Sequence, residues 1–379
     1  MIISIILLNQ YKDKLRDTII MNNKKLAIIT GITGQDGSYL TELLDSKDYI
    51  IYGIIRRNSN INTKRINHLY KYESDKLILK YGDLTDTFCI NNIINEIYVK
   101  YGDDIDKLEI YNLGAMSHVG ISYEIPGYTA QVDGIGVLNI LEAIRNSPES
   151  LKSKIRFYQA STSELYGDTD VIPQSENTPF NPNSPYSVAK LYGYYITNSY
   201  RTAYNMFACN GILFNHESPR RGHNFVTRKI TKGIASIIKA EKDGKSECIY
   251  LGNMDSKRDW GHAKDYVKGM WLMLQHDKPD NYVLATGKQY TIRQFVEKAF
   301  KYIGKNIVWE GKGIGEIGKD KDSGNIYIRV NPRYFRPNEV GNLLGNPEKA
   351  KKILGWTHEY DIDELISDMM THDLKEQGL

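Results

Sequence analysis

Short apolar runs alternate along the first 215 residues with longer stretches whose apolar side chains return every three or four positions. The runs have strand character and the stretches read as amphipathic helices. "KLAIITG" predicts a first buried strand and "GSYLTELLDSKDY" a helix behind it. "IIYGIIRR" gives a second strand, and "KLILKYGDLTD" a third strand with its turn. The helix "TFCINNIINEIYVKY" and a fourth strand with its loop, "LEIYNLGAMS", follow. Then come a long helix, "YTAQVDGIGVLNILEAIRNS", a fifth strand, "KIRFYQAST", another long helix, "PYSVAKLYGYYITNSYRTAYN", and a sixth strand, "FACNGILFN".

Strands alternating with helices demand right-handed crossovers. The fold class expected is therefore α/β, a Rossmann-like doubly wound parallel sheet. Past residue 215 the rhythm changes. "HESPRRGHNF" is a loop rich in charge, Gly and Pro, and "EGKGIGEIGKDKDSGN" a polar insert among short elements. Residues 216–379 are read as a smaller C-terminal α/β lobe, mainly substrate-binding, closing over the carboxyl edge of the sheet. The sheet domain is assigned to 23–215. Residues 1–22 begin with "MIISIILLNQ", which lacks a basic flank and a cleavage site and is too short to span a bilayer. They are read as a dispensable extension, because Met21 stands where a compact domain would start.

Composition adds exclusions. With 41% hydrophobic and 25% charged residues in 379, the chain has the make-up of an ordinary globular protein. A net charge of +3 is too small to argue for nucleic acid or a membrane surface as a partner. Cys89, Cys209 and Cys248 are far apart with no CxxC pair, which argues against a disulfide framework or a zinc site and for a reducing, cytoplasmic compartment. His118 and His262 have no partners at metal-ligand spacing and are read as structural, so no metal is expected.

"IITGITGQDGSYL" sets Gly31, Gly34 and Gly37 between a strand and a helix. Glycines at this turn permit close backbone approach to a pyrophosphate, and the helix start offers N–H donors to the anion. A tight turn carrying no ligand is the alternative. The second strand ends in Arg56 and Arg57, followed by Asn58 and Ser59, where a carboxylate for a ribose 2′-hydroxyl would otherwise stand. Guanidinium there suits a 2′-phosphate, hence NADP, against the alternative of two solvated arginines. Asp83 suits an adenine pocket, and the small residues of "LGAMS" can lie under a cofactor.

"SPYSVAKLYGYY" places Tyr186 and Lys190 four apart on one helix face, with Ser184 as N-cap and Pro185 as first helical residue. A phenol titrates near 10, and a neighbouring ammonium favours its phenolate, so the pair can accept a hydroxyl proton. In a Tyr- and Lys-rich chain the same spacing also arises by chance. In "FYQASTSELYG", Thr162 and Glu164 stand two apart, pointing the same way if the chain is extended. A capped or solvated turn is the competing reading.

Together these stretches closely resemble the GDP-mannose 4,6-dehydratase family of the extended short-chain dehydrogenase/reductases. "GITGQDGSYL", "GIIRR", "GDLTD", "NLGAMSHV", "YTAQVDGIG", "FYQASTSELYG", "SPYSVAKLYGYY", "FNHESPRRGHNFVTRKI", "LGNMDSKRDWGHAKDYV" and "NPRYFRPNEV" carry the resemblance, collinear from about residue 25 to 357. It implies catalytic roles for Thr162, Glu164, Tyr186 and Lys190. It implies cofactor contacts from Gly31, Ile32, Thr33, Gly34, Gln35, Asp36 and Gly37 in the first turn, and from Arg56, Asp83 and Leu84. Leu113, Gly114, Ala115, Met116 and Ser117 join them, with Tyr128, His216 and Arg221. Met116, Gln131 and Asn58 depart from the family pattern, the last at the 2′-phosphate contact. The implied reaction is loss of water from GDP-mannose with NADP tightly bound and recycled, opening a route to GDP-fucose or a related deoxysugar. The implied assembly is a homodimer or homotetramer, with "RRNSNINTKRINHLY" as an inter-subunit element.

For the substrate, Ser117, Thr162, Ser163, Glu164, Tyr186 and Asn215 are assigned to the sugar side. Lys229, Arg258, Arg336 and Glu339 are candidates for the GDP part, since cations suit a pyrophosphate and a carboxylate suits ribose hydroxyls. Another nucleotide-sugar dehydratase, an epimerase, a GDP-sugar reductase and a non-catalytic NADP-binding regulator remain as rivals. The four intact catalytic positions argue against a regulator, and Glu164 argues against an epimerase or reductase.

Overall fold

The computed structural model describes residues 23–59, 62–70, 75–334 and 342–379. The N-terminal extension, part of the expected inter-subunit loop, and the GDP candidates Arg336 and Glu339 lie outside the described residues.

The first half alternates as its sequence pattern requires. It runs β1 (Lys24–Thr30), α1 (Gln35–Asp45), β2 (Ile50–Ile55), β3 (Leu77–Tyr81), α2 (Cys89–Tyr101) and β4 (Ile105–Asn112). The long helix expected over "YTAQVDGIGVLNILEAIRNS" is broken. A short helix, Pro126–Ala130, passes through a π-turn, Gln131–Ile135, into α3 (Gly136–Arg145). Then follow β5 (Ile155–Thr162), α4 (Pro185–Ala203) and β6 (Ala208–Leu213). Ser184 caps α4 in a reciprocal bond pattern with Ser187, with Pro185 at its first turn.

The sheet has seven strands, not six. β7 (Asn281–Leu284) pairs in parallel with β6, and the order is β7-β6-β5-β4-β1-β2-β3. The chain thus returns to the sheet beyond residue 215, bringing α6 (Ala263–Gln275), which packs against α1. "NYVL" is short and its neighbours are polar, so periodicity alone does not single it out as a sheet strand.

Both faces are covered. Ile90, Ile94, Ile97, Ile140, Leu141 and Ile144 from α2 and α3 meet Leu26, Ile28, Leu108 and Ile110 on one side. Leu40, Leu44, Val267, Met270 and Leu274 from α1 and α6 meet Ala27, Ile29, Ile51 and Tyr111 on the other. The strands are apolar on both faces, as buried parallel strands are.

The second lobe has its own core. Before α6 runs α5 (Val226–Lys242), and after β7 run α7 (Ile292–Tyr302) and α8 (Ile362–Glu376). Ile230, Ile234, Phe295, Phe300, Ile328, Leu365 and Met369 meet there, beside a four-stranded sheet. No helix among the described residues is long and apolar enough to cross a membrane.

Candidate active site

The sheet order reverses between β1 and β4, and the carboxyl ends of those strands open into one cavity of about 640 Å³. That is the crevice where sheets of this kind take ligands. Thr30 ties its two walls together. Its hydroxyl donates to Asn112 Oδ1 at 2.7 Å and accepts from the Leu113 and Gly114 N–H groups at 3.0 and 2.9 Å.

The glycines of the first turn are explained by this closeness. Gly31 has φ +69°, and a Cβ there would lie 2.9 Å from Gly114 N. A Cβ on Gly37 would lie 2.4 Å from the Gly31 carbonyl oxygen. Only a chain without side chains at both points lets α1 aim its free N–H groups into the cavity. Asp36 sits in that first turn, where its carboxylate would oppose an anion. His216 offsets it, with Nε2 2.8 Å from Asp36 Oδ2 and Nδ1 2.8 Å from the Phe214 carbonyl. With an acceptor at each ring nitrogen, the imidazolium is the favoured form. Burial works against both charges, but their mutual attraction and hydrogen bond outweigh it, lowering Asp36 and raising His216. Gln35 locks the pair in place, donating to the His216 carbonyl at 3.0 Å and accepting from Ser218 Oγ at 2.7 Å.

The opposite wall carries the residues of "STSELYG" and α4. Thr162 ends β5 and caps a 3₁₀ turn, Ser163–Leu165, its hydroxyl accepting the Glu164 N–H at 3.2 Å. The chain is therefore not extended through Glu164, as the spacing suggested. The turn nonetheless brings Thr162, Ser163 and Glu164 to the cavity wall together. The capped turn is thus observed, and the same turn sets a carboxylate at the cavity. Tyr186 and Lys190 stand beside them, 8% and 3% exposed. Lys190 Nζ donates to the Ala160 carbonyl at 3.1 Å and lies 5.9 Å from the Tyr186 ring centroid. Burial and the nearby Asp133 and Glu164 charges push the Tyr186 phenol up, against a hydrogen bond with Thr162 and the charge of Arg221. Burial lowers Lys190, and the charge of Asp133 partly restores it.

Most sequence candidates meet here. Gly31, Thr33 to Gly37, Arg56, Asp83, Leu84, Leu113 to Ser117, Tyr128, Asn215, His216 and Arg221 all line the cavity with the four residues assigned to catalysis. Arg56 donates to the Tyr128 hydroxyl at the rim. Others lie elsewhere. Ile32 is fully buried in the core against the sheet. Arg57 is exposed and donates to the Asn58 carbonyl, while Asn58 Oδ1 accepts the Ser59 N–H at 2.7 Å, so these three form a surface turn. Lys229 sits over the Tyr334 ring at 3.4 Å, and Arg258 lies on a short strand, Lys257–Arg258; neither lines the cavity. His118 caps a short helix by accepting the Ile121 N–H at 3.1 Å, and His262 caps α6 and pairs with Asp368 at 2.9 Å. Ile121, Ile125, Val132 and Phe214 line the cavity without having been anticipated, since isolated apolar residues on short turns and strand ends leave no motif.

The residues present fit a dinucleotide. The glycine cradle, the start of α1 and His216 suit a pyrophosphate, and Arg56 at the rim suits a 2′-phosphate. Ser161 Oγ and Asn215 Oδ1 are buried at the cavity wall without partners among the described residues, as groups awaiting a ligand would be.

The seven-stranded parallel sheet, its glycine turn and the Tyr–Lys helix at one crevice define the extended short-chain dehydrogenase/reductases. Solved structures share that fold at low identity. The UDP-glucose 4-epimerase of Thermus thermophilus, in complex with NAD, aligns at TM-score 0.72 and 19% identity over 92% of this chain and 98% of its own. The dTDP-glucose 4,6-dehydratase of Bacillus anthracis, also with NAD, gives 0.72 and 18% over 93% and 98%. Sequence comparison is narrower. The family model described as GDP-mannose 4,6 dehydratase matches residues 28–369. The GDP-mannose 4,6 dehydratase of Cricetulus griseus is 53% identical over 93% of this chain and 92% of its own. That of Yersinia enterocolitica is 53% identical over 93% and 94%. The chain belongs to the GDP-mannose 4,6-dehydratase family, a family of hydro-lyases.

Proposed function

We propose that this protein converts GDP-mannose to GDP-4-dehydro-6-deoxymannose and water, with NADP as its resident cofactor. The observation that carries the reading is the placement of one carboxylate, Glu164, beside Tyr186 and Thr162 on a single cavity wall. Hydride transfer at C4 needs a hydroxyl base alone, and a carboxylate is superfluous to it. Removal of water between C5 and C6 needs a second acid/base, and Glu164 supplies one.

When bound, NADP⁺ supplies a hydride acceptor that becomes the donor in the last step, so no net oxidation results. Arg56 would hold its 2′-phosphate, and the backbone of the Gly31–Gly34 turn, the start of α1, His216 and Arg221 would hold its pyrophosphate. Tyr186 takes the proton of the sugar 4-hydroxyl. Its phenol is pushed up by burial, so the ammonium of Lys190 is needed to favour the phenolate. Thr162 holds the 4-oxygen. The ketone at C4 acidifies the C5 hydrogen, which Glu164 removes and passes to the departing 6-hydroxyl as water leaves; C5 then regains a proton from Tyr186, the one taken from the 4-hydroxyl, as C6 is reduced. Ser117, Ser163 and Asn215 face the sugar. Lys229, Arg258, Arg336 and Glu339 remain our candidates for the GDP part, to be tested one by one.

The wider reading is a cytoplasmic homodimer or homotetramer acting in deoxysugar-nucleotide synthesis. Three free thiols, two of them buried, accord with a reducing compartment. The test is incubation of purified protein with GDP-mannose and catalytic NADP⁺, followed by mass. Loss of one water without accumulation of NADPH supports the reading. An unchanged mass with inverted stereochemistry would make the protein an epimerase.

A further inference from the structure

A buried carboxylate lies beneath this site without having been given a role. Asp133 is 1% exposed and sits in the π-turn Gln131–Ile135. Its Oδ1 accepts the Met116 N–H at 2.7 Å, which fixes the loop Leu113–Ser117 at the cavity floor. Its Oδ2 is buried without a hydrogen-bond partner among the described residues. An unpaired buried carboxylate oxygen is costly, so something must compensate it. The π-turn packs against α4, where Gly193 allows the two backbones to approach. A Cβ on Gly134 would lie 3.5 Å from the Ala189 carbonyl oxygen, and one on Gly193 would lie 3.3 Å from the Asp133 carbonyl oxygen. On that face of α4 is Lys190, whose ammonium has three donors and, among the described residues, bonds one acceptor, the Ala160 carbonyl.

From this geometry we infer that Asp133 is a positioning residue, the buried counter-charge that keeps Lys190 charged while tying the cavity floor to the Tyr186–Lys190 helix. It touches neither substrate nor reacting atoms and acts through Lys190 and the Met116 amide. The inference rests on the roles given above to Tyr186 and Lys190. Its electrostatic surroundings are few. Its charge acts on Lys190 and Tyr186 of α4, and Tyr186 also feels the charges of Glu164 and Arg221. A negative charge at Asp133 favours the protonated form of both Tyr186 and Lys190, so removing it moves both titrations in one direction, toward lower pH.

Asp133→Asn keeps an oxygen for Met116 and removes the charge; Asp133→Ala removes both. Expected for Asp133→Asn is a fall in kcat on the order of tenfold at neutral pH. Both limbs of its pH profile should move to lower pH, with unchanged hydrogen exchange at residues 113–117. Asp133→Ala should also speed that exchange, measured with no nucleotide added. Limbs that stay in place in Asp133→Asn would overturn the inference, whether or not kcat falls. A second test does not depend on the reaction. In a double-mutant cycle of Asp133→Asn with Lys190→Met, followed by unfolding without ligand, the two changes should couple by about tenfold in the unfolding constant. Where the amide variant does not fold, Asp133→Ser takes its place. Additive effects would show that the two residues are not a pair. Failure of Tyr186→Phe to reduce turnover would instead sink the assignment of the site and leave the coupling intact.

Discussion

Replacing Glu164 by Gln isolates the step that separates elimination from hydride transfer. Among the described residues its carboxylate makes no hydrogen bond or ion pair; its backbone N–H bonds Thr162 Oγ1 at 3.2 Å and its carbonyl accepts the Gly167 N–H at 3.3 Å. The amide keeps those bonds and the size of the side chain, so stability should change by no more than about 0.5 kcal/mol. The loss falls on proton transfer. A positioned general base contributes about 10²- to 10⁴-fold, or about 3–5 kcal/mol of barrier. Dehydration should therefore slow by that factor, while NADP⁺ binding and the melting temperature stay as in the unaltered protein. Two readouts separate the steps. In heavy water the unaltered protein should place deuterium at C5 of its product, and the variant should place almost none. Nicotinamide absorbance with GDP-mannose should still rise, since the C4 step does not use Glu164. A fully active variant, or one that binds cofactor poorly, would refute the role given to this residue.

Three further outcomes are expected. Arg56→Ala should weaken NADP⁺ by about 10- to 100-fold, the value of one or two charge-assisted bonds, and leave NAD⁺ unchanged; equal loss of both in a titration would remove Arg56 from the 2′-phosphate. Gly31→Ala meets a positive φ and a contact of 2.9 Å with Gly114 N, so nucleotide affinity should fall at least tenfold with the fold retained, as read by cofactor fluorescence. The Asp36–His216 pair has a pH window. A lowered carboxylate contributes stability above its unfolded pKa of about 3.9 and loses it as pH falls through the folded value. A raised imidazole contributes in full below about 6.5 and loses it as pH rises through the folded value. The pair should thus stabilise most between about pH 4 and 6.5. His216→Asn should cost more in urea unfolding at about pH 5.5 than at about pH 8.5, and an equal cost at both would exclude the ion pair.

The sheet and the core of the site were legible because each rests on local patterning. Gly31 and Gly37 mark a turn that only glycine can make, and Tyr186 and Lys190 share a face because helices repeat every 3.6 residues. Thr162 and Glu164 were placed correctly at the cavity for a partly wrong reason, since a capped 3₁₀ turn, not an extended chain, presents them. What was not legible depends on distant contacts. β7 becomes a strand only because β6 offers it an open edge. The π-turn that carries Asp133 interrupts a helical pattern where it packs against Gly193 of α4, a contact between segments far apart in sequence. Arg57 and Lys229 have the right charge for a phosphate. In the structure Arg57 bonds the Asn58 carbonyl and Lys229 lies over the Tyr334 ring, contacts that no sequence pattern announces.

The central claim is that the hydride taken from C4 of GDP-mannose returns to C6 of the same molecule while Glu164 and Tyr186 move the protons. GDP-mannose carrying deuterium at C4, incubated with the protein and a trace of NADP⁺, tests it directly. The product should be lighter by one water, with the deuterium at C6 and no NADPH left over. Deuterium lost to the cofactor pool, or a product of unchanged mass, would contradict the account.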